Sequence, residues 1–202
     1  MTTVPGDSFA AIVLAAGSAR RFGGGKLLAA FEGRPLLHHA LAAARAAPVA
    51  TVAVVTGADA QAVAACARAF DPAIRLIHAA DHADGMAASL RAGVAAVPDA
   101  AGAFVFLGDM PHVPHGVLAP LAQAVRDGAA AAVPVFGGRR GNPVVLSRDL
   151  FAEVAALTGD TGARSILQRL GSRLALVDAP DDGILFDVDA PADLTRSRDG
   201  AR

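Results

Sequence analysis

Two short stretches of the sequence combine residue types able to handle phosphate and a hard cation. The first is Leu14-Ala15-Ala16-Gly17-Ser18-Ala19-Arg20-Arg21-Phe22-Gly23-Gly24-Gly25-Lys26-Leu27. Glycines let backbone N–H groups turn toward a ligand and let a phosphate approach without a Cβ clash. Arg21 and Lys26 add positive charge against a polyphosphate. The competing reading is a flexible loop that its basic residues merely solvate. Two common phosphate loops do not fit. A Walker loop opens with glycine six positions before its lysine and has Ser or Thr after it, where Arg20 and Leu27 stand. A dinucleotide fingerprint begun at Gly17 needs glycine where Ala19 stands.

The second stretch is Gly108-Asp109-Met110-Pro111, directly after an apolar run. A carboxylate at a strand end, held by a rigid Met-Pro turn, can coordinate Mg²⁺, which takes few carboxylates plus substrate phosphates. Spacing alone leaves a turn-forming aspartate equally open. Near the C-terminal end, Phe186-Asp187-Val188-Asp189-Ala190-Pro191 offers Asp189 as a helix N-cap two residues before Pro191. Asp84-Gly85-Met86-Ala87-Ala88-Ser89-Leu90 reads as a loop-to-helix junction, and Arg164 as a surface-helix arginine. The six histidines show no metal-ligand spacing: His38 and His39 are adjacent on a helix and point to different faces. His112 and His115 flank the Gly-Asp-Met-Pro turn.

Short β-branched runs alternate with alanine- and leucine-rich stretches of helical period, and these elements must position the two stretches. Strands are expected at 11–15, 51–56, 74–78 and 103–107, and helices at 35–46 (with Pro35 as first helical residue), 59–70, 86–97 and 114–126. Strands at 130–135 and 143–146 are joined by a hairpin-like connection. Helices at 150–157 and 162–170, strands at 174–177 and 185–188, and a last helix from Pro191 complete the pattern. The β-α-β rhythm predicts an α/β fold: a doubly wound, mostly parallel sheet with helices on both faces and a late antiparallel excursion. No linker divides the chain, so 1–202 reads as one domain with a frayed tail at about 197–202. Ligands of such sheets lie at the carboxyl ends of the strands, which directs attention to the loops after strands one, three and four.

The 202 residues are 53% hydrophobic and 18% charged, which excludes wholesale disorder. With no Trp or Tyr and a formal net charge of −1, neither a stacking platform nor a basic footprint for nucleic acid is expected. The longest stretch without Asp, Glu, Lys or Arg, between Asp109 and Arg126, is broken by three prolines, so no membrane span is expected. Cys66 is the one cysteine, the opening residues lack a signal-peptide pattern, and the expected location is the cytoplasm.

The first stretch resembles the opening signature of the MobA-like NTP transferases, A-A-G-x-S-x-R-x-G-x-x-K-x-L. Ala15, Ala16, Gly17, Arg21, Gly23, Lys26 and Leu28 match, while Ala19 stands where the family usually has Ser. The L-A-A-G form is typical of members similar to the molybdenum cofactor cytidylyltransferases, whereas the guanylyltransferase branch shows L-A-G-G. The resemblance continues in order along nearly the whole chain. It implies that Asp109, in G-D-M-P, and Asp189, in a D-x-D-T-P-x-D-like segment with Ala190 for Thr, hold magnesium. Gly85 and Ser89, in G-M-x-x-S-L, are implied beside the nucleotide base. Asn142, in G-N-P where the family has G-H-P, and Arg164, in G-D-x-G-A-R, are implied on the acceptor side.

By this resemblance Arg21, Lys26 and Asp109 are the catalytic residues, and Leu14, Ala15, Ala16, Gly17, Arg21, Lys26, Gly85, Ser89 and Asp109 line the nucleotide. The implied reaction is Mg²⁺-dependent transfer of CMP from CTP to molybdenum-bound molybdopterin, a phosphorylated pterin cofactor. Its products are the cytosine dinucleotide form and pyrophosphate, with an apo-molybdoenzyme or its chaperone as receiving partner. Alternatives keep the fold but use GTP or another acceptor, such as a sugar phosphate or phospholactate-like compound. A non-catalytic nucleotide-binding chaperone is a further one. A dehydrogenase would need the fingerprint that is missing.

Overall fold

Continuous apolar runs belong to strands covered on both faces, and they build the centre of the sheet. The computed structural model describes residues 8–19, 22–160 and 162–195. In chain order the strands are β1 (Phe9–Ala15), β2 (Ala30–Phe31), β3 (Arg34–Pro35), β4 (Val49–Thr56), β5 (Arg75–His78), β6 (Gly102–Leu107), β7 (Ala131–Phe136), β8 (Arg139–Arg140), β9 (Val144–Ser147) and β10 (Leu174–Asp178). The helices are α1 (Leu36–Ala46), α2 (Ala60–Phe70), α3 (Met86–Ala95), α4 (Leu118–Arg126), α5 (Phe151–Ala155) and α6 (Arg164–Arg169). None of the described helices is long and apolar enough to cross a membrane.

The main sheet runs β10-β7-β9-β6-β1-β4-β5, with β8 paired to β7. β1 sits in the middle, parallel to both β4 and β6, and β5 extends the parallel set. β9 runs antiparallel between β6 and β7, which is the expected late excursion. Gly137 and Gly138, both with positive φ (55° and 76°), form the tight two-residue turn that joins β7 to β8. Alternate residues of β1 serve opposite cores. Phe9, Ala11 and Val13 pack with α1, α2 and α4 through Leu37, Leu41, Val63, Leu118 and Leu121. Ala10 and Ile12 pack with α3, α5 and α6 through Leu90, Val94, Val154 and Ile166. Helices therefore cover both faces.

Three local expectations differ from the structure. Residues 185–188 do not form a strand: Asp182–Leu185 is a 3-10 turn, and the Val188 N–H donates to the Asp109 carbonyl (3.1 Å) instead of a ladder partner. Ile184 and Val188 are nonetheless fully buried, so their apolar character reports packing against the end of the sheet. Pro191–Thr195 is likewise a 3-10 turn. Pro35 is extended (φ −54°, ψ 138°) and precedes α1, closing a hairpin with β2 that the sequence did not signal. Glu32 and Gly33, at φ 47° and 82°, make its turn. The tail at 197–202 lies outside the described residues.

That hairpin is pinned by buried His39 of α1. One ring nitrogen, Nε2, lies 2.9 Å from the Phe31 carbonyl, and Nδ1 lies 3.1 Å from an Arg34 guanidinium nitrogen. A neutral ring satisfies both, donating to the carbonyl and accepting from the guanidinium. Burial pushes the His39 pKa below 6.5 and Arg34 adds to this, while the Phe31 carbonyl pulls the other way.

Two outcomes are expected. A folded-state pKa below the unfolded value means that protons favour the unfolded chain. The stabilisation from neutral His39 is complete above pH 6.5 and is lost as pH falls below it. His39→Gln should therefore flatten the fall of the urea midpoint between about pH 7.5 and about pH 5; an unchanged pH slope would refute the assignment. Separately, a Cβ on Gly93 of α3 would lie 2.5 Å from Ile12 Cγ2 and 3.1 Å from Val55 Cγ2. Gly93→Ala should lower the melting temperature, because overpacking by about 1–3 kcal/mol outweighs a helix-propensity gain of about 1 kcal/mol. A higher melting temperature would show that α3 can retreat from the sheet without loss.

Candidate functional site

The chain leaves β1 at the carboxyl end of the sheet and must return sharply. Gly23, Gly24 and Gly25 have φ of 89°, 95° and 64°, a left-handed run that side chains with a Cβ resist. It delivers Lys26 into the 3-10 turn Lys26–Leu28. From there Lys26 Nζ donates to Asp109 Oδ2 at 2.6 Å and lies 3.8 Å from Asp189 Oδ1. The lysine side chain is only 12% exposed, so this charge meets its partners largely out of water.

Asp109 follows β6 directly, through Gly108. The Gly108 N–H donates to the Leu14 carbonyl (2.9 Å), which fixes the ends of β1 and β6 side by side. The Val188 N–H on the Asp109 carbonyl then brings in the distant 187–189 segment. Asp193 holds that segment from the far side: its carboxylate accepts from the Asp189 and Ala190 N–H groups at 3.1 and 2.9 Å. Asp187 is drawn into the same charge cluster. Burial and the neighbouring Asp189 and Asp109 carboxylates push its pKa above the usual carboxylate range, while Lys26 lowers it. Among the described residues, no group of three His, Cys, Asp or Glu converges as a metal-ligand set.

Around this cluster opens a cavity of ≈ 940 Å³. Leu14, Ala16, Gly17, Ala19 and Lys26 form one wall, Leu107, Asp109 and Asp189 the floor. His82, Asp84, Gly85, Met86 and Ser89 form the opposite wall, joined by Asp160. These are the loops after β1, β5 and β6, as the topology predicts. A Cβ at Gly17 would meet nothing within 4 Å, so the backbone there is open to a ligand. Gly85 is required by its backbone: φ 113°, ψ −177°, with the Gly159 carbonyl 2.6 Å from where a Cβ would be. Ser89 is 5% exposed and presents its hydroxyl from the first turns of α3.

Of the residues singled out in the sequence, Leu14, Ala16, Gly17, Lys26, Gly85, Ser89, Asp109 and Asp189 come together on this cavity. Ala15 is buried beneath it in β1. Arg21 lies outside the described residues. Asn142 and Arg164 do not line the cavity: the Asn142 N–H donates to the Ile184 carbonyl (3.0 Å), and Arg164 is exposed at the start of α6. His82, Asp160 and Asp187 were not singled out. A β5-to-α3 connection carrying His and Asp is a weak signal; Asp160 gains meaning through the Met86 N–H, 74 residues away in the chain, and Asp187 through burial beside Asp189 and the distant Asp109 and Lys26.

Comparison with known proteins shows which family carries this fold. A curated protein of Paenarthrobacter nicotinovorans, "Nicotine blue oxidoreductase", is 33% identical over 92% of this chain and 94% of its own length. Rv0371c from Mycobacterium tuberculosis H37Rv superposes with a TM-score of 0.80 at 29% identity, covering 93% of this chain and 96% of that one. That protein has also been crystallised in complex with manganese, a form that superposes at TM-score 0.70 with 26% identity over 86% and 88% of the two chains. A nucleotidyl transferase from Methanothermobacter thermautotroptrophicus, Mth528, matches at TM-score 0.79 and 26% identity over 96% and 97% of the chains. The sequence model of the MobA-like NTP transferase domain matches residues 11–174. The chain thus belongs to the MobA-like NTP transferases, and it is a nucleotidyltransferase.

Proposed function

We propose that the chain transfers CMP from CTP to the terminal phosphate of molybdenum-bound molybdopterin, releasing pyrophosphate. The observation that carries this reading is the meeting of Lys26, Asp109 and Asp189 at one point of a cavity large enough for a nucleotide. An acceptor phosphate oxygen attacks the α-phosphorus, the bond to the β-phosphate oxygen breaks, and the electron pair leaves with pyrophosphate. No protein nucleophile is required. The difficulty is the approach of two anions, and orientation together with positive charge answers it.

Lys26 supplies that charge from a rigid turn, with Arg21 as its intended companion on the same loop. Gly17 leaves its backbone clear for the phosphates, and the Gly85–Ser89 wall takes the base. Asp109 and Asp189 are suited to Mg²⁺, since two carboxylates that already converge on one ammonium complete a hard-cation site with substrate oxygens. When bound there, the cation neutralises phosphate oxygens and stabilises the leaving group. The manganese complex of Rv0371c supports a divalent ion of this kind. Asn142 and Arg164 remain the acceptor-side residues of this proposal, reached by an acceptor extending beyond the cavity rim. CTP over GTP, and the pterin as acceptor, rest on the L-A-A-G form of the first loop.

The Paenarthrobacter relative's name favours a second reading, a redox enzyme on the same scaffold. Incubation with reduced nicotinamide nucleotides together with nicotine blue as electron acceptor separates the two, since a transferase leaves their absorbance unchanged while a redox enzyme oxidises the nicotinamide as it reduces the dye.

Calorimetric titration of the protein with CTP, GTP and ATP in the presence of Mg²⁺ should show CTP binding most tightly; equal binding of all three would remove the base assignment. In pyrophosphate release with the loaded pterin acceptor, Asp109→Asn should abolish turnover while leaving the melting temperature close to that of the parent. Full activity in that variant would sink the carboxylate's role. Lys26→Ala should lower kcat/KM by more than about tenfold, roughly 1.4 kcal/mol of transition-state stabilisation.

A further inference from the structure

Asp160 presents a puzzle that nucleotidyl transfer alone does not resolve. It is an exposed carboxylate on the wall of a cavity that already holds Asp84, Asp109 and Asp189 and that takes a polyanion in the proposed reaction. A further negative charge there opposes binding. Its contacts explain its presence. Asp160 Oδ1 accepts from the Met86 N–H at 3.0 Å, and the neighbouring Gly159 carbonyl accepts from the Ala87 N–H at 3.1 Å. Both donors are at the start of α3, beside Gly85.

The two segments fit together by missing side chains. A Cβ on Gly85 would lie 2.6 Å from the Gly159 carbonyl oxygen and 3.1 Å from Asp160 Cα. A Cβ on Gly162 would lie 2.7 Å from the Met86 sulfur. Arg91, two residues beyond Ser89 on α3, adds a second fastening: it donates to the Leu157 carbonyl at 2.6 Å and pairs with Asp81 at 2.5 Å. The 157–160 segment is thus strapped at two points to the helix that carries Ser89 and to its Gly85 N-cap.

We propose that Asp160 is a positioning residue for the nucleotide: its carboxylate oxygen fixes the Gly85–Met86 turn, and its charge is incidental. This rests on the nucleotidyltransferase reading of the cavity. Position and charge then act in opposite directions. Losing the acceptor oxygen lets the turn drift and weakens nucleotide binding. Keeping the oxygen while removing the charge leaves the turn in place and eases the approach of phosphates. Asp160 touches no reacting atom in this account, so its effect falls on binding and not on the chemical step.

The test compares the full-length parent, Asp160→Ala and Asp160→Asn by calorimetry with CTP and Mg²⁺, by melting temperature, and by kcat and KM for the nucleotide. Asp160→Ala should weaken CTP binding about tenfold, raise KM similarly and leave kcat within about twofold, the size expected for loss of one capping hydrogen bond. Asp160→Asn should bind CTP at least as tightly as the parent. A lower melting temperature in Asp160→Ala with CTP affinity unchanged would reduce Asp160 to a helix cap and overturn the proposal. So would Asp160→Asn binding as weakly as Asp160→Ala, because charge rather than position would then be at work. A parent protein that binds no nucleoside triphosphate overturns both this inference and the transfer reading; a parent that binds, with both variants equal to it, overturns this inference alone.

Discussion

Lys26 is the cation on which three aspartates from two distant parts of the chain depend. Asp109, Asp187 and Asp189 cannot share a partly buried corner without a positive charge among them, since each carboxylate raises the cost of ionising the next. Burial pushes the Asp187 carboxyl above the usual carboxylate range, and the neighbouring Asp189 and Asp109 carboxylates push it further. Lys26 offsets it, in a 2.6 Å contact with Asp109 and a longer one with Asp189. Everything that fixes the lysine therefore fixes the site: the left-handed glycine run before it, the β2–β3 hairpin after it, and buried His39 that holds this hairpin to α1.

The same constraint explains the irregular course of the chain after β10. Residues 182–195 form no strand and no α-helix, yet Ile184 and Val188 are fully buried. They pack over the carboxyl end of the sheet, and the Val188 N–H finds the Asp109 carbonyl. Phe186 stacks on His112 (ring centroids 4.8 Å apart), and His112 in turn meets Glu32 of the β2–β3 turn at 3.0 Å. The hairpin after Lys26 and the segment bearing Asp189 thus meet through the His112 imidazole as well as directly, where Phe31 packs with Phe186 and Val188.

How much of this could be read in advance followed the length of the elements. Strands such as the apolar seven-residue β1 and the β-branched eight-residue β4 were legible, as were the helices between them and the β-α-β order that places a crevice at their carboxyl ends. Lys26 and Asp109 were legible because loops on such strands have a predictable location, whereas Gly85 and Ser89 were singled out only through the resemblance to the family's G-M-x-x-S-L segment. The β2–β3 hairpin was not, since two-residue strands carry no period and Glu32 is an unusual residue at positive φ. Residues 185–188 were misjudged because an apolar run reports burial and does not reveal whether the backbone pairs with a strand or with a single carbonyl. Asp160 was quoted in its motif but given no role, because its partner is the Met86 N–H and no side chain marks it.

The two halves of the site rest on different supports, and this separates what the fold conserves in chemistry from what it leaves free. Lys26 and Asp109 hang from β1 and β6, the central pair of the sheet, locked together by the Gly108 N–H on the Leu14 carbonyl. Any shift of the Asp109 backbone must move a buried strand. Asn142 lies instead just after the β7–β8 hairpin, half-buried in a loop, and Arg164 is exposed at the start of the six-residue α6. Substitution of the exposed Arg164 costs little stability, within about 0.5 kcal/mol for an ordinary surface position. On the proposed reading, such a scaffold keeps one nucleotide chemistry on its central strands and leaves the acceptor to residues outside the core, while family membership itself reaches only the transfer reaction.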